Sequence, residues 1–345
     1  MRGRRRGGFA ARGRFLYRSA PPAAGRGAIS RARSMSPTPS AATALDPAAS
    51  GDPEAMQDHW RGDLTALRAE LDRMDDALHD LLMRRAAVVA HVAATKPAGG
   101  SGLRPGREAA ILRRLLARHS GPLPARGVVR IWRELLAATT AMQGPFALAV
   151  FDPGPGGAVI AAAREQFGAL TPLRAHGSAA GAIAEVADGR AALAVLPMPT
   201  EDEAVAWWTG LVHRDAPRLH VVARLPFWSR RPEGAPDARC LVLAAVPPDP
   251  SGDDTTLLGA ELDPEISRAR LAATVTEAGF APVVGGALPG GLILRRAPGR
   301  PEAMALIELP GFVTAGDKRL ARLAAGLGSV AVLGAAAIPP EDPAP

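Results

Sequence analysis

The sequence predicts a multidomain protein: an all-α helical domain at the N-terminal side, then an α/β domain, then a small ferredoxin-like module. Three observations predict it. Apolar residues Leu64, Leu67, Leu71, Met74, Leu78, Leu81, Val88 and Val92 recur at steps of three and four, the period of a helix with one packing seam. Beyond Pro145 short apolar runs alternate with helical stretches, as in βα units built on a largely parallel sheet. From Thr255 the rhythm becomes strand, helix, strand, strand, helix, strand, the βαββαβ order. A chain of 345 residues has room for two or three such domains.

The elements follow in order. The first helix runs from Leu64 until Pro97 and the glycines after it end it. A second covers about Arg107 to Arg118, with Ile111, Leu112, Leu115 and Leu116 inward, and Gly121-Pro122-Leu123-Pro124 breaks the chain. A third covers about Pro124 to Gln143, with Val128, Ile131, Trp132, Leu135 and Leu136 inward, and Gly144-Pro145 closes the unit. Strands are expected at 146–151, 191–196, 220–225 and 240–246, with helices at 159–167 and 201–211. The last module has a helix at 264–279, strands near Val283 and Gly291, a strand at 304–309, a helix at 315–327 and a strand at 330–335. The expected domains are a basic tail at 1–55, the helical domain at 56–144, the α/β domain at 145–252, the ferredoxin-like module at 253–339, and a short tail at 340–345.

Charge excludes one class of partner. The formal balance is +7, but residues 1–50 hold ten Arg and one Asp, leaving 31 basic and 33 acidic residues elsewhere. The folded part is close to neutral, so a basic groove for nucleic acid is not expected. One cysteine, Cys240, excludes an internal disulfide framework and a multi-cysteine metal site and fits a reducing compartment, the cytoplasm. Residues 323–339 are uncharged but rich in Gly and Ala. They read as a helix end and a strand, and no membrane association is expected. The Arg-rich, acid-poor tail is similar in composition to a transit peptide. The favoured reading is a disordered extension upstream of a start at Met35 or Met56.

Polar residues on the inner faces mark a pocket. Arg85 takes a seam position, where a cation is costly unless an anion answers it. Lys96 lies eleven residues on, about 20° from the Arg85 direction and three turns along. Thr139 and Gln143 continue the row of Ile131 and Leu135 at spacings of four. Glu108 sits three and four residues before Ile111 and Leu112, with Arg107 beside it. Each alone has a plain structural explanation: snorkelling, a satisfied core polar group, or a carboxylate favouring a helix dipole. Together they describe a pocket with two cations, one carboxylate and neutral donors. Arg68, seventeen residues before Arg85, is about 25 Å away along a helix. If it serves the same pocket, a second chain brings it there, as in an antiparallel two-fold dimer.

On these residues the segment 63–143 resembles the all-helical chorismate mutases, including the mutase part of the bifunctional mutase–prephenate dehydratases. The matching stretches are Leu67-Arg68-Ala69-Glu70-Leu71-Asp72-Arg73-Met74-Asp75, Leu81-Leu82-Met83-Arg84-Arg85, Lys96, Arg107-Glu108 and Thr139 to Gln143. The resemblance implies that Arg85, with Arg68 of a partner chain, binds the two carboxylates of chorismate. It implies that Lys96 and Gln143 bond the breaking ether oxygen, that Glu108 and the backbone near Arg107 hold the ring hydroxyl, and that Thr139 helps at a carboxylate. An intramolecular rearrangement needs a dianion held compactly and donors aimed at developing oxygen charge, with no cofactor or metal. Two departures stand out: Arg104 occupies a place where the family often has an acid, and Pro97 disfavours helical geometry at Lys96.

The region from Phe146 to about Pro339 is similar, more faintly, to prephenate dehydratase followed by an ACT-type module. Pro197 continues as Met198-Pro199-Thr200, without the family's Glu-Asn pair. Ala238-Arg239-Cys240 stands where the family has Thr-Arg-Phe, and Asp152-Pro153-Gly154-Pro155-Gly156-Gly157 lacks its Thr-Phe-Ser. A retained scaffold with an eroded dehydratase site is the expectation. The activity expected overall is chorismate to prephenate. The alternatives are a bifunctional mutase–dehydratase, an isochorismate–pyruvate lyase, and a non-catalytic amino-acid-sensing protein.

Overall fold

The computed structural model describes residues 64–95, 102–203, 205–213, 216–228, 233–283, 286–296 and 302–340. Lys96 and the basic tail lie outside the described residues. The chain divides into two compact units, 1–73 and 74–345. In the first, the described residues are helical and carry an Arg73–Glu70 ion pair.

Three helices open the described chain: α1 (Leu64–Thr95), α2 (Pro105–Ala117) and α3 (Ala125–Ala141). They match the expected helices closely because Pro and Gly punctuate each end. The seam of α1 does not behave as expected within one chain. None of its residues is buried, and Leu71, Leu78, Leu81 and Val88 are each more than half exposed. The expected inner row of α3 is also corrected: Ile131 is 53% exposed, while Val128, Arg133, Leu136, Thr139 and Thr140 are buried. The face that packs is thus rotated toward the helices' contact with the sheet. There Ala109 and Leu112 of α2 meet Phe227, with Val129, Trp132 and Ala337 against them.

The remaining elements are β1 (Leu148–Phe151), α4 (Ala158–Phe167), β2 (Leu173–His176), α5 (Ala179–Ala187), β3 (Leu193–Pro197), α6 (Thr209–Val212), β4 (His220–Leu225), β5 (Cys240–Ala244), β6 (Asp254–Leu262), α7 (Arg268–Glu277), β7 (Leu292–Arg296), β8 (Ala303–Pro310), α8 (Lys318–Leu327) and β9 (Val330–Ala337). They form one nine-stranded sheet of order β2-β1-β3-β5-β4-β9-β6-β8-β7. Strands alternate side chains between faces, and both faces are covered. Leu148 and Val150 pack with Val159, Ala163 and Phe167 of α4, whereas Ala149 and Leu196 pack with Ala182, Ile183 and Val186 of α5.

The largely parallel sheet is a second correction. Only β1–β2, β1–β3 and β4–β9 run parallel; β3–β5, β4–β5, β6–β8, β6–β9 and β7–β8 are antiparallel. A parallel return needs a crossover, usually helical. The described residues between β4 and β5 contain no helix, so β5 comes straight back. The helix expected at 201–211 shrinks to α6. Upstream of it the Trp207 indole donates to the Pro197 carbonyl at 3.2 Å, a tertiary bond that overrides local propensity. No strand forms at 281–283. The βαββαβ order of the last part is present, with β9-β6-β8-β7 adjacent and antiparallel. The two halves of the sheet meet where Val221 faces Gly334. Gly334 has φ 145°, and a Cβ there would lie 2.1 Å from the Val221 oxygen, so only glycine allows the join.

Candidate active site

The expected site residues within the described chain come from α1, α2, α3 and the turn after α3. Arg85 belongs to the least exposed part of its helix, with Ala86 and Val89. Its Nη1 donates to Thr139 Oγ1 at 3.4 Å. The Thr139 hydroxyl in turn donates to the Leu135 carbonyl at 2.8 Å, which aims an oxygen lone pair at Arg85. Gln143, one turn on, donates from Nε2 to the Thr139 carbonyl at 3.1 Å. It lies against Gly102, where a Cβ would come within 2.8 Å of the Gln143 Cβ. These three residues stand together much as their spacing implied.

Glu108 comes from the first turn of α2. Its Oε2 pairs with Arg133 Nη1 of α3 at 3.2 Å, with side chains 13% and 5% exposed. Burial raises the Glu108 carboxyl above the usual range, opposed by Arg133 and Arg85 and reinforced by Asp249. Burial also pulls the Arg133 guanidinium down to about 10, against the pull of Glu108 and Glu165. Arg85 is lowered by burial and raised by Glu108. The guanidinium of Arg133 lies 4.7 Å from the Phe227 ring centroid, a cation–π contact that holds its planar head in place.

Arg133 is the buried partner of Glu108 that the sequence reading passed over. It stands three residues before Leu136 and six before Thr139, on the buried stripe, where an arginine without a visible carboxylate partner reads as a surface residue. Two further expected residues stand at the surface. The Arg107 side chain is exposed, and its backbone N–H donates to Asp249 Oδ2 at 3.0 Å. Arg68 is exposed in the first unit. The arrangement can hold an anionic ligand against Arg85 and offer a carboxylate, a hydroxyl and an amide around it. Among the described residues it presents no nucleophile–base pair.

In the α/β region, Ala238 leads into β5 and Cys240 is buried, its thiol pushed up to about 12 by burial and then by Asp152.

Comparison with known proteins places the helices. Residues 67–144 match the family described as chorismate mutase type II. A bifunctional chorismate mutase/prephenate dehydratase of Pseudomonas aeruginosa is 32% identical over 149 residues, 41% of this chain and 40% of that protein. The chain thus spans well under half the length of that relative in the match. Among solved structures, a protein titled a novel type of quorum quenching acylase is 19% identical at TM-score 0.41, over 56% of this chain and 95% of its own. Prephenate dehydratase of Arthrobacter aurescens in complex with L-Phe is 15% identical at TM-score 0.39, over 55% of this chain and 90% of its own. Arg85, Glu108, Thr139 and Gln143 therefore all lie in the segment, residues 67–144, that matches the chorismate mutase type II family.

Proposed function

We propose that this chain is a chorismate mutase, an isomerase that converts chorismate to prephenate for phenylalanine and tyrosine synthesis. The observation that carries the reading is the Arg85–Thr139 contact beside the buried Arg133–Glu108 pair, inside the segment that matches the family. Arg85 takes a substrate carboxylate with Thr139 beside it, and Glu108 takes the ring hydroxyl. Lys96 and Gln143 donate to the ether oxygen as its bond to carbon breaks. The rearrangement moves no proton to the protein, so catalysis consists of holding the compact conformer and stabilising oxygen charge. The test is purified protein with chorismate, following its loss and the appearance of prephenate. Prephenate formed no faster than without enzyme sinks the reading, and turnover of isochorismate alone would replace it with a lyase. The domain limits given above are proposed with it, and the cytoplasm as its place of action, where a lone buried thiol stays reduced.

A homodimer completes the site. The apolar stripe of α1, with Leu78, Leu81 and Val88 more than half exposed, is the kind of surface a second copy covers. A partner α1 running antiparallel would bring Arg68 to the pocket. Arg68→Ala and Arg85→Ala chains, each inactive, are expected to regain activity when mixed, because hybrids contain one intact site. No recovery despite demonstrated subunit exchange would assign Arg68 to its own chain or to no site.

A second reading, a bifunctional mutase–dehydratase, draws on the name of the Pseudomonas aeruginosa relative. Ala238 weighs against it, since its side chain neither donates nor accepts a hydrogen bond. The chain is expected to form no phenylpyruvate from prephenate above the spontaneous rate at neutral pH. Enzyme-dependent phenylpyruvate that persists in Arg85→Ala would show a second, living site.

A further inference from the structure

Helix α2 starts without a cap of its own. Arg104 stands at the N-cap with no side-chain bond, and Pro105 follows. The free N–H groups of a first turn need acceptors, and here they come from 143 and 142 residues away. Asp249 Oδ1 accepts the Gly106 N–H at 3.0 Å, and Oδ2 accepts the Arg107 N–H at 3.0 Å. The approach is so close that a Cβ on Gly106 would lie 2.1 Å from the Asp249 carbonyl oxygen. Asp249 sits in Pro247-Pro248-Asp249-Pro250, where prolines narrow the backbone choices. Farther along α2, Arg113 donates to Ser251 Oγ at 2.8 Å, to the Asp253 carbonyl at 2.7 Å and to the Ile338 carbonyl at 2.5 Å. The helix is therefore clamped at two points by the segment entering β6 and the residues after β9. Glu108 follows directly on the pair of N–H groups that Asp249 holds.

We propose that Asp249 is a positioning residue of the mutase site: it holds the first turn of α2 and so fixes where the Glu108 carboxylate points. This rests on the mutase reading above. It makes the segment entering β6 a working part of the helical site. Glu108 faces Arg133 from α3, Arg85 from α1 and Asp249 from the segment before β6. Asp249 is the one negative group among them, so losing its charge eases ionisation of Glu108.

The test uses the full chain, with Asp249→Ala and Asp249→Asn measured for chorismate turnover across pH. Asp249→Ala is expected to lose tenfold or more in kcat/KM with an unchanged circular dichroism spectrum. The pH limb governed by Glu108 is expected to move to lower pH in both variants as the neighbouring negative charge goes, so the loss in kcat/KM is read above the limb in each chain. In a Glu108→Gln background, Asp249→Ala is expected to add less than twofold, because the residue it acts through is gone. If the parent chain turns over no chorismate, the mutase reading falls and takes this one with it. If the parent is active while Asp249→Ala stays within twofold, only the positioning role falls. Should Asp249→Ala fail to fold, Asp249→Asn, which keeps one of the two acceptor oxygens, decides the matter by whether its loss in kcat/KM disappears in the Glu108→Gln background.

Discussion

Replacing Arg85 by alanine is expected to lower kcat/KM for chorismate by a hundredfold or more and to leave the helices intact. The residue is a half-buried guanidinium whose hydrogen bond to Thr139 Oγ1 is long, at 3.4 Å, so most of its donors remain for a ligand. Loss of a charge-assisted contact to a substrate carboxylate costs about 3 kcal/mol of transition-state binding, which is the size of the expected effect. The structural cost is small for a physical reason: no residue of α1 is fully buried in one chain, so truncation leaves no core cavity. Arg85→Lys should recover only part of the rate, since an ammonium cannot meet a carboxylate with two parallel bonds. The measurement is steady-state kinetics with chorismate beside a circular dichroism spectrum of each variant. Near-parent rates in Arg85→Ala would remove this residue from the site.

What could be read from the sequence was what local period and punctuation determine. Steps of three and four, ended by Pro97, Gly121-Pro122 and Gly144-Pro145, located α1, α2 and α3. The βαββαβ order of the last part followed from the same signals. Arg85 and Thr139 were legible because each is a polar residue in an apolar row. The structure brings them together.

Four things were out of reach for a common reason, namely that long-range contacts decide them. Strand direction in the sheet depends on which strand β5 meets after β4, and nothing near Cys240 encodes that. Arg133 was passed over because its partner, Glu108, lies 25 residues away on another helix, so its charge looked like a solvated face. The rotation of α3, which exposes Ile131 and buries Arg133, shares this cause. Asp249 is the extreme case, capping a helix that ends more than a hundred residues before it. Its one local signal was negative: Arg104 is a poor N-cap, and a helix start with no local cap asks for a distant one.

Arg133→Met is expected to destabilise the protein by roughly 3–5 kcal/mol, the usual cost of breaking a buried ion pair from one side. The variant removes the 3.2 Å partner of Glu108 and the cation held over Phe227. What remains is a carboxylate 13% exposed, with Arg85 as its nearest positive group and Asp249 as a negative one. It escapes the penalty by taking up a proton, so its pKa rises further. The consequence for pH follows from that direction. A carboxyl whose folded-state pKa lies above its unfolded value binds more protons when folded, so stability falls as pH rises from the unfolded pKa to the folded one. The parent already has this property at Glu108, and the variant has it over a wider span. The gap in unfolding free energy between parent and Arg133→Met should therefore be largest near neutral pH. It should narrow toward the unfolded glutamate value, about 4.3. The double variant Arg133→Met with Glu108→Gln replaces the orphaned charge by a neutral amide and should regain much of the stability at neutral pH. Mutase activity should not return with it, since the carboxylate offered to the ring hydroxyl is gone. Denaturant unfolding at several pH values measures all three chains. A pH-independent gap would mean that Glu108 never carries the buried charge that this arrangement assigns to it.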